Sequence, residues 1–212
     1  MQQLDFAIID AHIHQWDASH MPYSAALAVK LLGKHPYLLD KLVRLVKSDE
    51  LIETLGLTNH ITAPYLPENY MQDIGHYLVE QVVHVEARWH KNKGKGVVDE
   101  THFIESLSFN QETVKLGGIV ATADPRDSNF KKILQLHRKA SPRFKGIRKM
   151  AAVHEDKNIH AWADEPHLYR NKKFLKGFEA LAQLNLTFDA WVYSTQLNDV
   201  IALAKQFPET SI

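Results

Sequence analysis

Residues 6–14 read Phe6-Ala7-Ile8-Ile9-Asp10-Ala11-His12-Ile13-His14, an apolar run that closes on two alternating histidines. Such a run reads as a buried strand, expected over Phe6 to His12. Side chains alternate along a strand, so His12 and His14 leave on one face while Ala11 and Ile13 leave on the other. Two imidazoles then converge on one point. Neutral imidazole suits zinc, nickel or ferrous iron, which makes the pair a candidate for a metal or substrate role. His-x-His also arises by chance in a chain with 13 histidines, so the rest of the sequence has to carry the decision.

Further β-rich runs follow at Gln81 to Ala87, Gly117 to Ala123, Phe144 to Met150 and Leu186 to Tyr193. Amphipathic stretches lie between them, at Glu68 to Tyr77, Glu100 to Lys115, Ser128 to Ala140, Asn171 to Leu184 and Thr195 to Phe207. This alternation signals βα units around a parallel sheet rather than a sandwich or a bundle. The gap between the first two strands is too long for one crossover. The Leu-, Lys- and Val-rich stretch from Leu27 to Leu57 therefore reads as a helical insertion at about 24–57, either a lid or a packing element. Glycines 33, 56, 94 and 96 fall where turns are expected, and Lys91 to Gly96 reads as a solvated loop whose cations, with Arg88, could meet an anion.

The chain of 212 residues, 45% hydrophobic, has the size of a single domain, 1–212, with a sizeable core. Its formal charge of zero argues against nucleic acid and anionic membranes as partners. No run approaches a membrane-spanning length, and no basic region leads into an apolar export core, so a cytoplasmic location is expected. There is no cysteine, so any metal must be held by histidine and carboxylates.

Each strand places a polar group late: His12 and His14, Glu86, Asp124, Arg148, then Asp189 with Tyr193. Strict alternation puts Val82, His84 and Glu86 on one face of the second strand, and Thr187, Asp189, Trp191 and Tyr193 on one face of the fifth. In a (β/α)8 barrel the catalytic groups come from such C-terminal strand ends. A buried Glu86 needs a partner, and Arg148 suits bidentate recognition of a carboxylate or carbonyl. Asp124 reads equally as the cap of a following helix, and His84 as a satisfied structural histidine. Trp16, Trp89, Trp191 and Tyr193 could offer a stacking surface or simply pack in the core.

The segments Ile9 to Asp17 (IDAHIHQWD), His84 to Trp89 (HVEARW), Phe144 to Arg148 (FKGIR), and Phe188 to Tyr193 (FDAWVY) with Gln196-Leu197 occur in this order along nearly the whole chain. In these the sequence resembles the amidohydrolase-related (amidohydrolase 2) family of metal-dependent TIM-barrel hydrolases, which includes sugar-lactone and pyrone-dicarboxylate lactonases. The resemblance implies a distorted (β/α)8 barrel of the α/β class, hydrolysis of a cyclic ester or related C–O or C–N bond, and the first-strand histidines at the active site. It implies a divalent metal, zinc first, although certain lactonases of the group work without one. It also implies that Arg148 binds a substrate acid or carbonyl.

The expected catalytic set is therefore His12, His14, Glu86 and Arg148, with His12 and His14 as metal ligands and Trp16, Arg148, Asp189 and Tyr193 facing a small-molecule substrate. Family members supply a further histidine after the sixth strand and an aspartate after the eighth. Such barrels run to about 250 residues. Here Thr210-Ser211-Ile212 enters what would be the sixth strand, so a barrel truncated after five to six strands is expected. Lactone hydrolysis leads. Its rivals are a non-catalytic fragment or pseudoenzyme, in which an open barrel would favour a homo-oligomer, and a zinc-dependent decarboxylase of an unsaturated acid. Trp191 and Tyr193 stand where the decarboxylases place a histidine, which disfavours the last.

Overall fold

The computed structural model describes residues 6–17, 31–32, 35–46, 53, 63–111 and 113–212. Five strands form one parallel sheet: β1 Ile8–Ile13, β2 Val79–Val85, β3 Lys115–Thr122, β4 Phe144–Met150 and β5 Thr187–Trp191. Their order in the sheet is their order in the chain. A doubly wound sheet reverses direction at a switch point, whereas a sheet that adds every strand beside its predecessor is an arc of a barrel. The expected fold class holds to that extent, as an α/β half-barrel.

Helices α1 Pro36–Val46, α2 Pro67–Ile74, α3 Val98–Glu105, α4 Phe130–Ala140, α5 Lys172–Gln183 and α6 Leu197–Gln206 accompany the strands, together with short 3-10 turns. The fourth strand coincides with its expected range, and the others shift by no more than two residues at either end. The expected helix over Glu100 to Lys115 is wrong in extent. It ends at Glu105 and is followed by a short 3-10 turn, Ser108–Gln111, which seats Phe109 wholly inside the core. Of the expected insertion at 24–57, α1 is the principal described part; the lid reading and the turns at 33 and 56 lie outside the described residues. None of the described helices is long and apolar enough to cross a membrane.

The core lies between the sheet and its helices, where Val82, Ile119, Ile147 and Phe188 meet Ile104, Leu134, Phe174, Phe178 and Leu181. Its densest part is aromatic: Phe188 stands edge-on to Tyr169, Phe174 and Phe178 at centroid distances of 5.1–5.9 Å. α5 begins there because Asn171 caps it, its side-chain oxygen accepting from the Lys173 and Phe174 amides. Tyr169 ties the helical layer to the strand ends. Its hydroxyl donates to the Lys149 carbonyl at 2.5 Å and accepts from the Trp191 amide at 3.0 Å.

Gly177 lets α5 approach the β3–α4 connection, since a Cβ there would sit 1.9 Å from the Pro125 carbonyl oxygen. Helix propensity alone would make Gly177→Ala stabilising by about 0.5–1 kcal/mol. The close backbone contact reverses the sign. Gly177→Ala is expected to destabilise by about 1–3 kcal/mol, the cost of overpacking, and to lower the thermal midpoint followed by circular dichroism; a rise would show that α5 does not bear on Pro125.

Candidate active site

The C-terminal ends of the strands surround a cavity of about 690 Å³, the volume of a small-molecule site. β1 and the residues just beyond it supply His12, His14 and Trp16, and the turn after β2 supplies Glu86 and Arg88. β4 supplies Arg148 and β5 supplies Asp189 and Trp191, while Trp162 reaches in from the loop after β4.

The two histidines meet edge-on, with their Nε2 atoms 3.2 Å apart. His14 Nδ1 lies 2.8 Å from the Val85 carbonyl. A carbonyl only accepts, so Nδ1 carries the hydrogen and Nε2 presents a bare lone pair. Burial lowers the His14 pKa to about 4, which keeps the ring neutral at pH 7. Either a shared proton or a cation satisfies the two facing nitrogens. A backbone carbonyl that fixes the tautomer is the usual support of a metal-bound imidazole. Two nitrogens bound tetrahedrally at about 2.0–2.1 Å stand roughly 3.3 Å apart. The pair therefore fits two positions of a zinc-type ion. Among the described residues no group of three or more His, Asp or Glu side chains completes such a site.

Glu86 and Arg148 form a buried ion pair. Arg148 Nε and Nη2 stand 2.9 and 2.8 Å from Glu86 Oε1, and Nη2 also donates to the Glu86 carbonyl at 2.8 Å. Burial pushes the Glu86 carboxyl upward and Arg148 opposes that shift. The Arg148 guanidinium also lies 5.3 Å from the centre of the Trp191 ring. Asp189 sits opposite Arg148 in the strand register, and burial raises its carboxyl pKa against the pull of Arg148 and His12.

A second buried carboxylate supports the same turn. Glu100 of α3 accepts the Ala87 amide at 2.6 Å and lies 3.6 Å from His84 Nε2. His84 Nδ1 accepts the Gln15 amide, which links α3 through β2 to the residue beside His14. Burial lowers His84 to about 3 and raises Glu100 to about 7.

Several expected residues stand elsewhere. Tyr193 is not on the cavity wall: β5 ends at Trp191, and the Tyr193 hydroxyl donates to the His160 carbonyl at 2.6 Å. Asp124 is held by Arg126 and Lys149, which lowers its pKa to about 2, and it organises the loops after β3 and β4. His84 and Glu86 do not share the cavity, because β2 ends at Val85 and the turn beyond re-aims Glu86. Trp89 is buried against Phe103. Lys91 pairs with Asp99 on the surface. Trp162 and the left-handed turn at Arg88 escaped the sequence reading, which placed Arg88 only with the loop cations that could meet an anion. Trp162 lies in a segment without period, and nothing in the residue type announces the positive φ of 59° at Arg88.

No family model matches the sequence. The chain is 27% identical over 208 residues to the uncharacterized protein y4mH of Sinorhizobium fredii, covering 98% of this chain and 61% of that one. Among solved structures it is similar to an amidohydrolase from Burkholderia multivorans crystallised with bound zinc, at a TM-score of 0.60 and 18% identity over 95% of this chain and 54% of that one. A crystal of a Burkholderia multivorans amidohydrolase with bound HEPES gives the same TM-score. Amidohydrolase 2 from Bifidobacterium longum subsp. infantis matches at 0.54 and 15% identity, over 96% of this chain and 59% of that one. The chain thus has the fold of these amidohydrolases and spans about half to three fifths of the proteins it matches.

Two outcomes follow from the buried charges. Arg148→Met leaves Glu86 buried without its cation and is expected to cost about 3–5 kcal/mol in urea unfolding, whereas Arg148→Met with Glu86→Gln costs less than the sum of the single changes; strict additivity would show that the pair is not coupled. The folded chain keeps the Glu100 proton up to about pH 7, while the free carboxyl loses it near 4.5. The folded state therefore binds more protons within that window, and the Glu100 contribution to stability falls as pH rises through it. Glu100→Gln is expected to gain on the wild type as pH rises from 4.5 to 7, and a constant difference across that range would contradict the assignment.

Proposed function

We propose that this chain belongs to a hydrolase of the amidohydrolase superfamily, a (β/α)8 barrel in the whole protein, that opens a small lactone or related cyclic ester with water. The observation that carries the reading is the convergence of His12 and His14 Nε2 atoms at the C-terminal mouth of a sequentially ordered parallel sheet. The likeness in fold to zinc-bearing and other amidohydrolases supports the same class. The substrate is a small uncharged or acidic ring rather than a nucleic acid or a membrane, and a cytoplasmic setting and self-association belong to the same proposal.

The chain's own groups divide the work. His14 keeps a neutral ring with a bare Nε2, so it can hold a cation or take a proton from water, and His12 faces it as the second nitrogen. A divalent metal held by these two, zinc in the first instance, would polarise the ester carbonyl and acidify water. Arg148, fixed by Glu86 and Trp191, keeps a positive charge in the same cavity, of the sign that stabilises an oxyanion during ester cleavage. Asp189, between Arg148 and His12 in their electrostatic reach, can accept a hydrogen bond from water or a ring hydroxyl.

The test is a panel of five- and six-membered lactones assayed by acid release from the 212-residue protein supplied with zinc. His12→Ala with His14→Ala should lower kcat/KM by about a thousandfold, the several kcal/mol expected of such a polarising site, and should abolish stoichiometric metal in elemental analysis. Full activity in the double variant would remove the histidines from the mechanism.

A further inference from the structure

Arg88 is held in a conformation that costs energy. Its φ of 59° lies in the left-handed region, uncommon for a residue with a long side chain. Two buried carboxylates enforce it by gripping successive peptides: Glu100 accepts the Ala87 amide, and Glu86 Oε2 accepts the Arg88 amide at 3.0 Å. The turn delivers the guanidinium to the cavity wall, 5.3 Å from the centre of the Trp162 ring. Trp162 is anchored by its own amide on the Ala152 carbonyl, and its ring packs 5.0 Å from that of Trp191. One wall therefore runs Arg88, Trp162, Trp191, Arg148.

The two arginines differ in what answers their charge. Arg148 is ion-paired with Glu86 and gives its Nε and Nη2 hydrogens to that residue. Among the described residues the exposed Arg88 guanidinium meets the Trp162 face, and no carboxylate pairs with it. Asp189 stands in register with Arg148, not with Arg88. Among the described residues the cation of the cavity without an ion-pair partner is thus a forked guanidinium lying on a tryptophan, a combination that matches a planar anion bonded to an unsaturated ring.

We infer that Arg88 is a specificity-determining residue that binds a carboxylate carried by the substrate, with Trp162 against the substrate's ring. The inference rests on the lactone reading for the identity of the ring and moves acid recognition from Arg148, already committed to Glu86, to Arg88.

The experiment measures binding of a 2-pyrone carboxylic acid and its methyl ester by tryptophan fluorescence and calorimetry, in the full chain, as wild type, Arg88→Gln and Arg88→Lys. The wild type should prefer the acid by about tenfold to a hundredfold, the worth of charge-assisted hydrogen bonds. Arg88→Gln should abolish that preference, and Arg88→Lys should retain part of it. Added salt should weaken the acid and not the ester in the wild type, a readout that needs no variant to fold. Equal binding of acid and ester, or a preference that survives Arg88→Gln, overturns the inference. Acid binding through Arg88 without ring opening would sink only the lactonase reading; opening of neutral lactones with indifference to Arg88→Gln would sink only this one.

Discussion

Glu86 is the group on which the cavity is assembled. One carboxylate oxygen faces the Arg148 fork and the other accepts the Arg88 amide, so a single side chain joins β4 to the turn after β2. A carboxylate this deeply buried is tolerable only with such complete pairing. The arrangement fixes two cations at once, one by an ion pair and one by backbone conformation. Remove the acid and the wall of arginines and tryptophans loses both of its supports on this side.

The histidine pair depends on a different kind of constraint. β1 has a register irregularity between Asp10 and Ile13, and the described chain leaves the strand with its Trp16–Tyr65 bridge. The Val85 carbonyl then sets the His14 tautomer from the neighbouring strand, while Tyr70 donates to Asp10 from α2. Ring placement here comes from backbone and second-layer contacts, which is how a site achieves a defined lone-pair direction without a ligand present.

Much of this was legible in residue order alone. Strand and helix periods placed all five strands within two residues, because alternation and β-branched runs such as Val82-Val83-His84-Val85 report a half-buried pleat directly. Strand-end polarity pointed to His12, His14, Glu86, Arg148 and Asp189, all of which line the cavity. Two of the misses share a cause. Alternation was carried past Val85 and past Trp191, the last residues of their strands, and there it no longer governs direction; Glu86 parted from His84 and Tyr193 turned away to His160. Trp162 lies in an aperiodic loop, and the left-handed Arg88 is held by Glu86 two residues before it together with Glu100 on the following helix, a combination that strand alternation does not encode.

The sequential order of the sheet has a kinetic corollary. Strands β3 to β5 each follow the strand they pair with after one crossover, residues 86–114, 123–143 and 151–186, so these pairings close smaller loops than the first. β1 is the exception: residues 14–78 separate it from the strand it pairs with, and Ile9, at 62% exposure, gains little burial from docking. Loop-closure entropy rises with that separation. The strand that brings both histidines therefore closes the longest loop of the described pairings, and in hydrogen exchange β1 should open below the free energy at which β3 and β4 do. The histidine pair and the arginine wall thus stand on opposite sides of the longest loop that the sheet must close.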